Sequence, residues 1–392
     1  MTSYNKNNDL GECIKYVHLK EDKKEKNNVH SYDKDVQYFE NLFDYEYDED
    51  DEKENFVDAY DEESTEGRRF RWIFFVLGCI TICGFRGRMV KKIAFAPPLI
   101  KGYHLENDNK FIFHNSQHEE IKELMNINNI DINYKKLKRG SMEVSGIMLY
   151  KKPLDLTKQT ILYSHGNTTD IGYMTPFLLN LVRCNNVNVF SYDYSGYGLS
   201  NKGPSKNNCY KSIKMSYDYL TKDLNIKPEN IIVYGHSLGS ATSCYLINLK
   251  NVKVGGCVLQ SPFFSGLRLL LPLDYKKEMP WFDVFKNDKR LKNIPLLPLF
   301  IMHGKNDRDI PYQHSEYLFK IVKKNFAKKV QKNKSQFLRN KNINYLDAND
   351  SILRFWVVDN ADHNDIEEKH PELFQQKLGE FLSYCYKFNM NE

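Results

Sequence analysis

Ile231-Ile232-Val233-Tyr234-Gly235-His236-Ser237-Leu238-Gly239-Ser240-Ala241 passes from β-branched apolar residues into Gly-x-Ser-x-Gly, then into residues that favour helix. Strand, sharp turn and helix in that order push a serine hydroxyl out of the end of a sheet, where it can act as a nucleophile. Gly235 and Gly239 lack the Cβ atoms that would collide where the strand folds back on the helix. Ser237 is therefore the candidate nucleophile. The helix start behind it offers free N–H groups and a positive dipole end, both suited to an oxyanion. As a bare pentapeptide the pattern is loose; its strand-and-helix setting makes it specific.

Outward from this stretch the chain alternates. Strands are expected at Thr160–Ser164, Val187–Tyr192, Ile231–Tyr234, Val254–Leu259, Leu299–His303 and Ile352–Val358. Helices are expected at Ile171–Cys184, Cys209–Leu224, Leu238–Lys250, Tyr312–Lys324 and Pro371–Phe388. Tyr134–Lys152 reads as two strands hairpinned around Arg139-Gly140-Ser141, and the paired prolines of Ile93–Ile100 make an extended lead-in. The expected class is α/β, a mostly parallel sheet with helices on both faces.

Two stretches supply partners for Ser237. Leu299-Phe-Ile-Met-His303-Gly304-Lys-Asn-Asp307 ends a strand at a glycine turn, with Asp307 just past the carboxyl edge where catalytic groups of open α/β sheets sit. Asp309 is the rival acid, and Arg308 between them has the charge to pair with either. Phe355-Trp-Val-Val-Asp-Asn-Ala-Asp-His363 ends the last strand in a polar turn. His370 competes with His363, but Pro371 behind it marks a helix start. Ser237, Asp307, His363 is the chain order of nucleophile, acid and base in α/β-hydrolases.

Other polar residues near strand ends take plainer readings. His303 and His314 read as surface or turn histidines, and Asp193 ends a strand in the wrong place for the acid, in a Gly-rich backbone turn. Ile161–Asn167 runs a strand into His-Gly, and in such folds this loop supplies the second oxyanion N–H. The backbone amides of Leu238 and Asn167 are assigned to the oxyanion hole, with Thr168 a close alternative; His165 reads as an imidazole shaping the loop. This chemistry calls for no cofactor and no metal.

The 392 residues leave room for one large domain plus extensions. Net charge is +5, but an acidic run (Asp44–Glu66) precedes basic clusters (Arg68, Arg69, Arg71, then Arg86, Arg88, Lys91, Lys92), so the total argues for no nucleic-acid partner. The 8 cysteines show no Cys-x-x-Cys spacing, which favours a thiol-reducing compartment, and Met1–Lys15 lacks the apolar core of a secretory signal.

Residues 1–67 read as a disordered polar and acidic tail, too poor in aliphatic residues to offset ordering entropy. Residues 68–92 read as a membrane anchor with basic flanks. Its apolar run, Trp72–Phe85, is about 14 residues long, short of the roughly 20 a spanning helix needs. Arginines on both sides suit an interfacial or re-entrant anchor on an anionic leaflet, and Cys79 and Cys83 are candidates for S-acylation. Residues 93–392 form the catalytic domain, with a Lys/Asn-rich insertion at 323–351. Between two strands, Pro262–Pro272 and Trp281–Phe285 read as a short cap, in which Phe263, Phe264, Leu267 and Trp281 are candidates to line an acyl groove.

Ser164-His-Gly-Asn-Thr-Thr-Asp-Ile-Gly172, Phe190-Ser-Tyr-Asp-Tyr-Ser-Gly-Tyr-Gly198, Ser261-Pro-Phe-Phe-Ser-Gly-Leu-Arg268 and His363-Asn-Asp-Ile366 together resemble the α/β-hydrolase domain-containing 17 family, within a wider group of Bem-like membrane hydrolases. The resemblance runs from about Ile93 to the C-terminus, apart from the insertion. It implies a serine hydrolase that removes palmitate from cysteine thioesters of membrane proteins. It also implies membrane binding through an acylated cysteine cluster just before the counterpart of Ile93-Ala-Phe-Ala-Pro-Pro98. Here only Cys79 and Cys83 occupy that segment, inside a longer apolar run, so anchoring is expected more by insertion than by acylation. The tail and the insertion have no clear counterpart.

The expectation is a protein depalmitoylase on the cytoplasmic face of a membrane, the plasma membrane in the first instance. Its partners would be acylated membrane proteins and the membrane surface. A lipid esterase or lysophospholipase using the same triad is the runner-up, and a tethered scaffold with an idle hydrolase domain is the third reading.

Overall fold

The computed structural model describes residues 94–107, 109–114, 118–270, 279–280, 282–332 and 352–390. The chain enters as a hairpin, β1 (Tyr103–Glu106) with β2 (Lys110–Phe113), followed by α1 (His118–Ile127). A second hairpin, β3 (Ile130–Arg139) and β4 (Met142–Lys151), pairs from Ile130↔Lys151 to Arg139↔Met142 around Gly140, whose φ of +56° suits glycine. Alternation begins with β5 (Thr160–Ser164), α2 (Ile171–Asn185), β6 (Asn188–Tyr192) and α3 (Lys206–Asp218), which runs into a π turn at Tyr219–Asp223. It continues with β7 (Ile231–His236), α4 (Leu238–Ile247), β8 (Gly256–Gln260), α5 (Asn287–Leu291), β9 (Leu299–Gly304) and α6 (Gln313–Lys332). The last elements are β10 (Leu353–Val358), α7 (Ile366–Lys369) and α8 (Pro371–Met390).

Among the described residues eight strands form one sheet, in the order β10-β9-β8-β7-β5-β6-β4-β3. β10 to β6 are parallel; β4 and β3 are antiparallel additions at one edge. Every residue of β5 to β9 is buried, and the strands show why. In β7, Ile231 and Val233 join one apolar cluster while Ile232 and Tyr234 join the cluster on the opposite face. That is the period of two a strand imposes, with both faces covered, as parallel sheets require. Burying each such aliphatic side chain stabilises the fold by about 1.5–3 kcal/mol. β10 is the edge strand and is only half-buried up to Val358.

Most of the expected elements are present with ends shifted by a few residues. The first hairpin and helices α1, α5 and α7 were not anticipated; each is short, with little periodicity to read. α6 continues to Lys332, well into the stretch read as an insertion, because its apolar spacing persists through Leu318, Val322 and Phe326, all buried. The remainder of that insertion, the tail and the anchor with Cys79 and Cys83 lie outside the described residues. Among the described residues no helix is long and apolar enough to cross a membrane.

Candidate active site

Loops at the carboxyl ends of β7, β9 and β10 build the site. At the end of β7 the backbone turns sharply: Ser237 has φ +52° and ψ −115°, a strained state for a residue with a side chain, typically costing about 1–3 kcal/mol. The turn is held from both sides. The Ser237 amide donates to the Gln260 carbonyl at 2.9 Å, and its own carbonyl accepts from Ser240 at 2.9 Å. A Cβ on Gly235 would strike the Gly239 carbonyl and the Ser243 hydroxyl, and one on Gly239 would strike the Ser164 carbonyl. Side chains at these two positions would prise the strand from the helix.

Ser237 Oγ lies 2.9 Å from His363 Nε2, and His363 Nδ1 lies 2.6 Å from Asp307 Oδ2. An ionised carboxylate only accepts, so the imidazole carries its proton on Nδ1 and leaves Nε2 bare to receive the serine proton. Asp307 is fixed further: Oδ1 accepts the amides of Asp309 at 2.9 Å and Ile310 at 2.7 Å. Burial opposes its ionisation, but hydrogen bonds from His303 and His363 outweigh that and hold the carboxyl well below the usual range. The rival Asp309 contributes only its amide. Arg308 pairs with neither carboxylate; its guanidinium lies 3.8 Å from half-buried Asp362. His370 donates to the Asp359 carbonyl away from the serine.

Leu238 opens α4, so its amide is among those with no partner inside the helix. The loop after β5 passes close by: a Cβ on Gly166 would sit 3.9 Å from Ser237 Cβ. The Asn167 side chain is committed to structure, its Oδ1 accepting from the Ala96 amide at 3.0 Å and the Tyr197 hydroxyl at 2.6 Å. What Asn167 offers the site is backbone. The Tyr194 hydroxyl donates to the His165 carbonyl at 2.6 Å, and the His165 ring packs on Tyr194 with centroids 4.4 Å apart. The Ser-Tyr-Asp-Tyr-Ser-Gly-Tyr stretch is thus more than a backbone turn: its tyrosines pin the loop after β5. Asp193 belongs to the same scaffold, accepting from Tyr103 at 2.7 Å and the Ile171 amide at 3.0 Å.

Comparison with known proteins agrees with the fold. A family model described as Serine aminopeptidase, S33, matches residues 155–293. The α/β hydrolase domain-containing protein aho-3 of Caenorhabditis elegans is 32% identical over 249 residues, 62% of this chain and 71% of that protein. The chain belongs to the α/β-hydrolase domain-containing family. Human α/β hydrolase domain-containing protein 17B is 40% identical over 162 residues, 41% of this chain. That alignment spans only about half of the relative, 54%. An esterase of Pyrococcus furiosus shares the fold at a TM-score of 0.51 and 17% identity, over 74% of this chain and 96% of the esterase.

Against this family frame, three histidines stand out that the sequence alone misplaced or passed over. His303 and His314 are buried, not surface residues. His303 Nε2 lies 2.9 Å from Asp307 Oδ2, and His314 Nδ1 accepts the Phe264 amide at 3.3 Å. His236, inside the Gly-x-Ser-x-Gly motif, stacks beside His363 with centroids 5.3 Å apart and donates from Nε2 to the His363 carbonyl at 3.1 Å. Burial, then the neighbouring His363, pushes His236 down to about 3. Burial, then His303 and Arg268, pushes His314 down to about 4. Both rings stay neutral beside the His363–Asp307 pair.

The cap residues are engaged in packing. Phe263 is buried edge-on against Phe285 at 6.3 Å, and Phe264 meets Tyr317 edge-on at 6.3 Å. Leu267 begins a 3-10 turn whose amide is tied to Asp283 at 2.9 Å, and further along it Leu269 and Leu270 are exposed. Trp281 lies outside the described residues.

Proposed function

We propose that this hydrolase is a serine hydrolase that cleaves long-chain acyl thioesters on membrane proteins. The Ser237–His363–Asp307 chain of hydrogen bonds, 2.9 Å and 2.6 Å, carries the reading. Ser237 Oγ attacks the acyl carbonyl carbon as His363 Nε2 takes its proton. The resulting oxyanion meets the Leu238 and Asn167 amides. His363 returns the proton to the leaving cysteine sulfur as the carbon–sulfur bond breaks. Water, deprotonated by His363, then attacks the acyl-serine, releasing the fatty acid and restoring the serine. Asp307 holds the imidazole's tautomer and stabilises the imidazolium throughout.

Three features favour an acylated membrane protein as substrate. The motifs resemble the domain-containing 17 family, Phe263, Phe264 and Leu267 lie in the cap that follows β8, and the apolar Trp72–Phe85 run carries Cys79 and Cys83. The same run supports a location at the cytoplasmic face of a membrane. Wild type and Ser237→Ala, treated with a serine-reactive fluorophosphonate and then offered acyl-cysteine thioesters and oxygen esters of rising chain length, test the proposal. Labelling that disappears in the variant, with turnover best on long thioesters, supports it. Preference for lysophospholipid esters shifts the substrate to lipid; folded wild type that neither labels nor turns over returns the chain to a scaffold role. A Cys79→Ser/Cys83→Ser variant that keeps full membrane association would refute acylation as the anchor.

A further inference from the structure

We propose that His303 is a positioning residue of the triad, holding the Asp307 oxygen that His363 uses and sharing its charge. The proposal rests on the serine-hydrolase reading above. His303 Nε2 lies 2.9 Å from Asp307 Oδ2 and 2.8 Å from the Ile310 carbonyl, while its Nδ1 lies 2.6 Å from Ser315 Oγ. Two pure acceptors face Nε2, so that nitrogen carries the proton; Nδ1 is bare and accepts the Ser315 hydroxyl proton. His303 therefore meets the carboxylate as an oriented neutral donor and does not serve as a second base.

The consequence lies in how Asp307 is divided. Its Oδ1 accepts the Asp309 and Ile310 amides, and its Oδ2 accepts both His303 and His363. A carboxylate has about four lone-pair directions, and here four donors occupy them, so the group is locked in its plane. His303 is wholly buried, so water does not dilute its bond to Oδ2. Charge drawn towards His303 is charge that His363 does not feel. An undivided carboxylate would stabilise the imidazolium more and raise the basicity of His363, leaving it protonated, and unable to take the serine proton, over a wider pH range.

From α7, Glu367 is pushed up to about 7, and every variant in the test below shares it, so it does not distinguish them. From β7, His236 faces His363; from α6, His314 and Ser315 face His303; Arg268, from the 3-10 turn of the cap, acts on His314. His236 and His314 are driven neutral by burial, to about 3 and about 4, and do not titrate alongside His363. Arg308 and Asp362 pair with each other at the exposed rim.

The test compares the pH dependence of ester hydrolysis in full-length wild type, His303→Phe, His303→Gln and Ser315→Ala, with a soluble short-chain p-nitrophenyl ester as substrate. Thermal melting and fluorophosphonate labelling establish that each is folded with a reactive serine. His303→Phe keeps a ring without the donor. It should lower kcat about tenfold, within the range general-base effects span, leave KM unchanged and move the acid limb of kcat to higher pH. His303→Gln restores an N–H near the Nε2 position and should bring the limb back. Ser315→Ala frees the ring's tautomer and should move the limb the same way by a smaller step, an outcome available even if His303→Phe fails to fold. A purely structural role would lower the melting temperature in all three and leave the limb in place. A limb that stays put, or moves to lower pH, in the folded variants overturns the proposal. Wild type inert to both the fluorophosphonate and the ester overturns the serine-hydrolase reading itself, and this proposal with it.

Discussion

Replacing Tyr194 by phenylalanine deletes one oxygen and keeps the ring that packs on His165. The lost hydroxyl donates at 2.6 Å to the His165 carbonyl, and Tyr194 is fully buried. Burial also keeps that hydroxyl protonated far above the usual tyrosine range, so it is a donor at every working pH. A neutral hydrogen bond contributes about 0.5–1.5 kcal/mol net, but deleting its donor leaves a buried carbonyl unsatisfied, which costs about 1–3 kcal/mol. That loss of about 1–3 kcal/mol, in a domain of about 300 residues whose unfolding entropy is about 2.1 cal/mol/K per residue, lowers the melting temperature by roughly 2–5 °C. The loss falls on the residue before Gly166 and Asn167, so the loop proposed to supply an oxyanion amide loses its anchor as well, and kcat should fall about tenfold through misplacement.

Tyr192→Phe is the matched control. Its hydroxyl meets the Ser164 hydroxyl at 2.8 Å, a partner that can rotate to another acceptor, so its loss should cost only about 1 kcal/mol and spare kcat. Melting curves and steady-state ester hydrolysis on both variants decide the matter. Equal effects on stability and rate in the two would refute the idea that Tyr194 anchors the loop.

Ser237→Gly should abolish fluorophosphonate labelling yet raise the melting temperature, because glycine adopts the +52° φ without strain; a destabilised glycine variant would show that the elbow is not strained. Asp307→Asn should lower kcat on the order of 10⁴-fold by favouring the wrong imidazole tautomer. Because the folded Asp307 carboxyl is depressed, its contribution to stability is present above its unfolded range and lost as pH falls through the folded one. The melting gap between wild type and Asp307→Asn should therefore shrink as pH drops below about 4. Glu367, hydrogen-bonded to Gln260 at 3.1 Å, is pushed up to about 7 by burial. Its folded form holds a proton that the unfolded chain has given up, so wild-type stability should decline as pH rises towards and through 7, and Glu367→Gln should flatten that decline. A wild-type melting curve insensitive to pH in that range would remove Glu367 from the account.

The parts of the site that follow local rules were legible in the chain. Gly235, Ser237 and Gly239 declare the elbow because strand, turn and helix are contiguous there. Asp307 and His363 declare themselves because each ends an apolar run at a polar turn. What escaped notice depends on pairings distant in sequence or hidden by burial. His303 ends a buried strand, and nothing local says that its ring points back along the turn to Asp307, although the His-Gly-x-x-Asp spacing was there to be read. His236 fills a variable position of its motif, and only the arrival of the β10 loop gives it a partner. The tyrosines of Tyr192–Tyr197 looked like part of a glycine turn because their contacts reach back about thirty positions, to Ser164, His165 and Asn167. The short helices α5 and α7 span too few turns to show any period.

β10 is an outermost strand, half-buried and, among the described residues, paired on one side only, and it feeds the loop that carries His363. Ser237 hangs from β7, deep within the sheet. Edges open before centres in native-state fluctuations. Mild heating or denaturant should accordingly produce a species with sheet, core and strained elbow still in place but with the base withdrawn from its serine. Such a molecule would keep its circular dichroism and its fluorescence while losing turnover, and amide exchange in Leu353–Val358 would run ahead of exchange in Ile231–His236. Half-life of activity and half-life of the fold would then be two separate properties of one chain, with the first set by its rim.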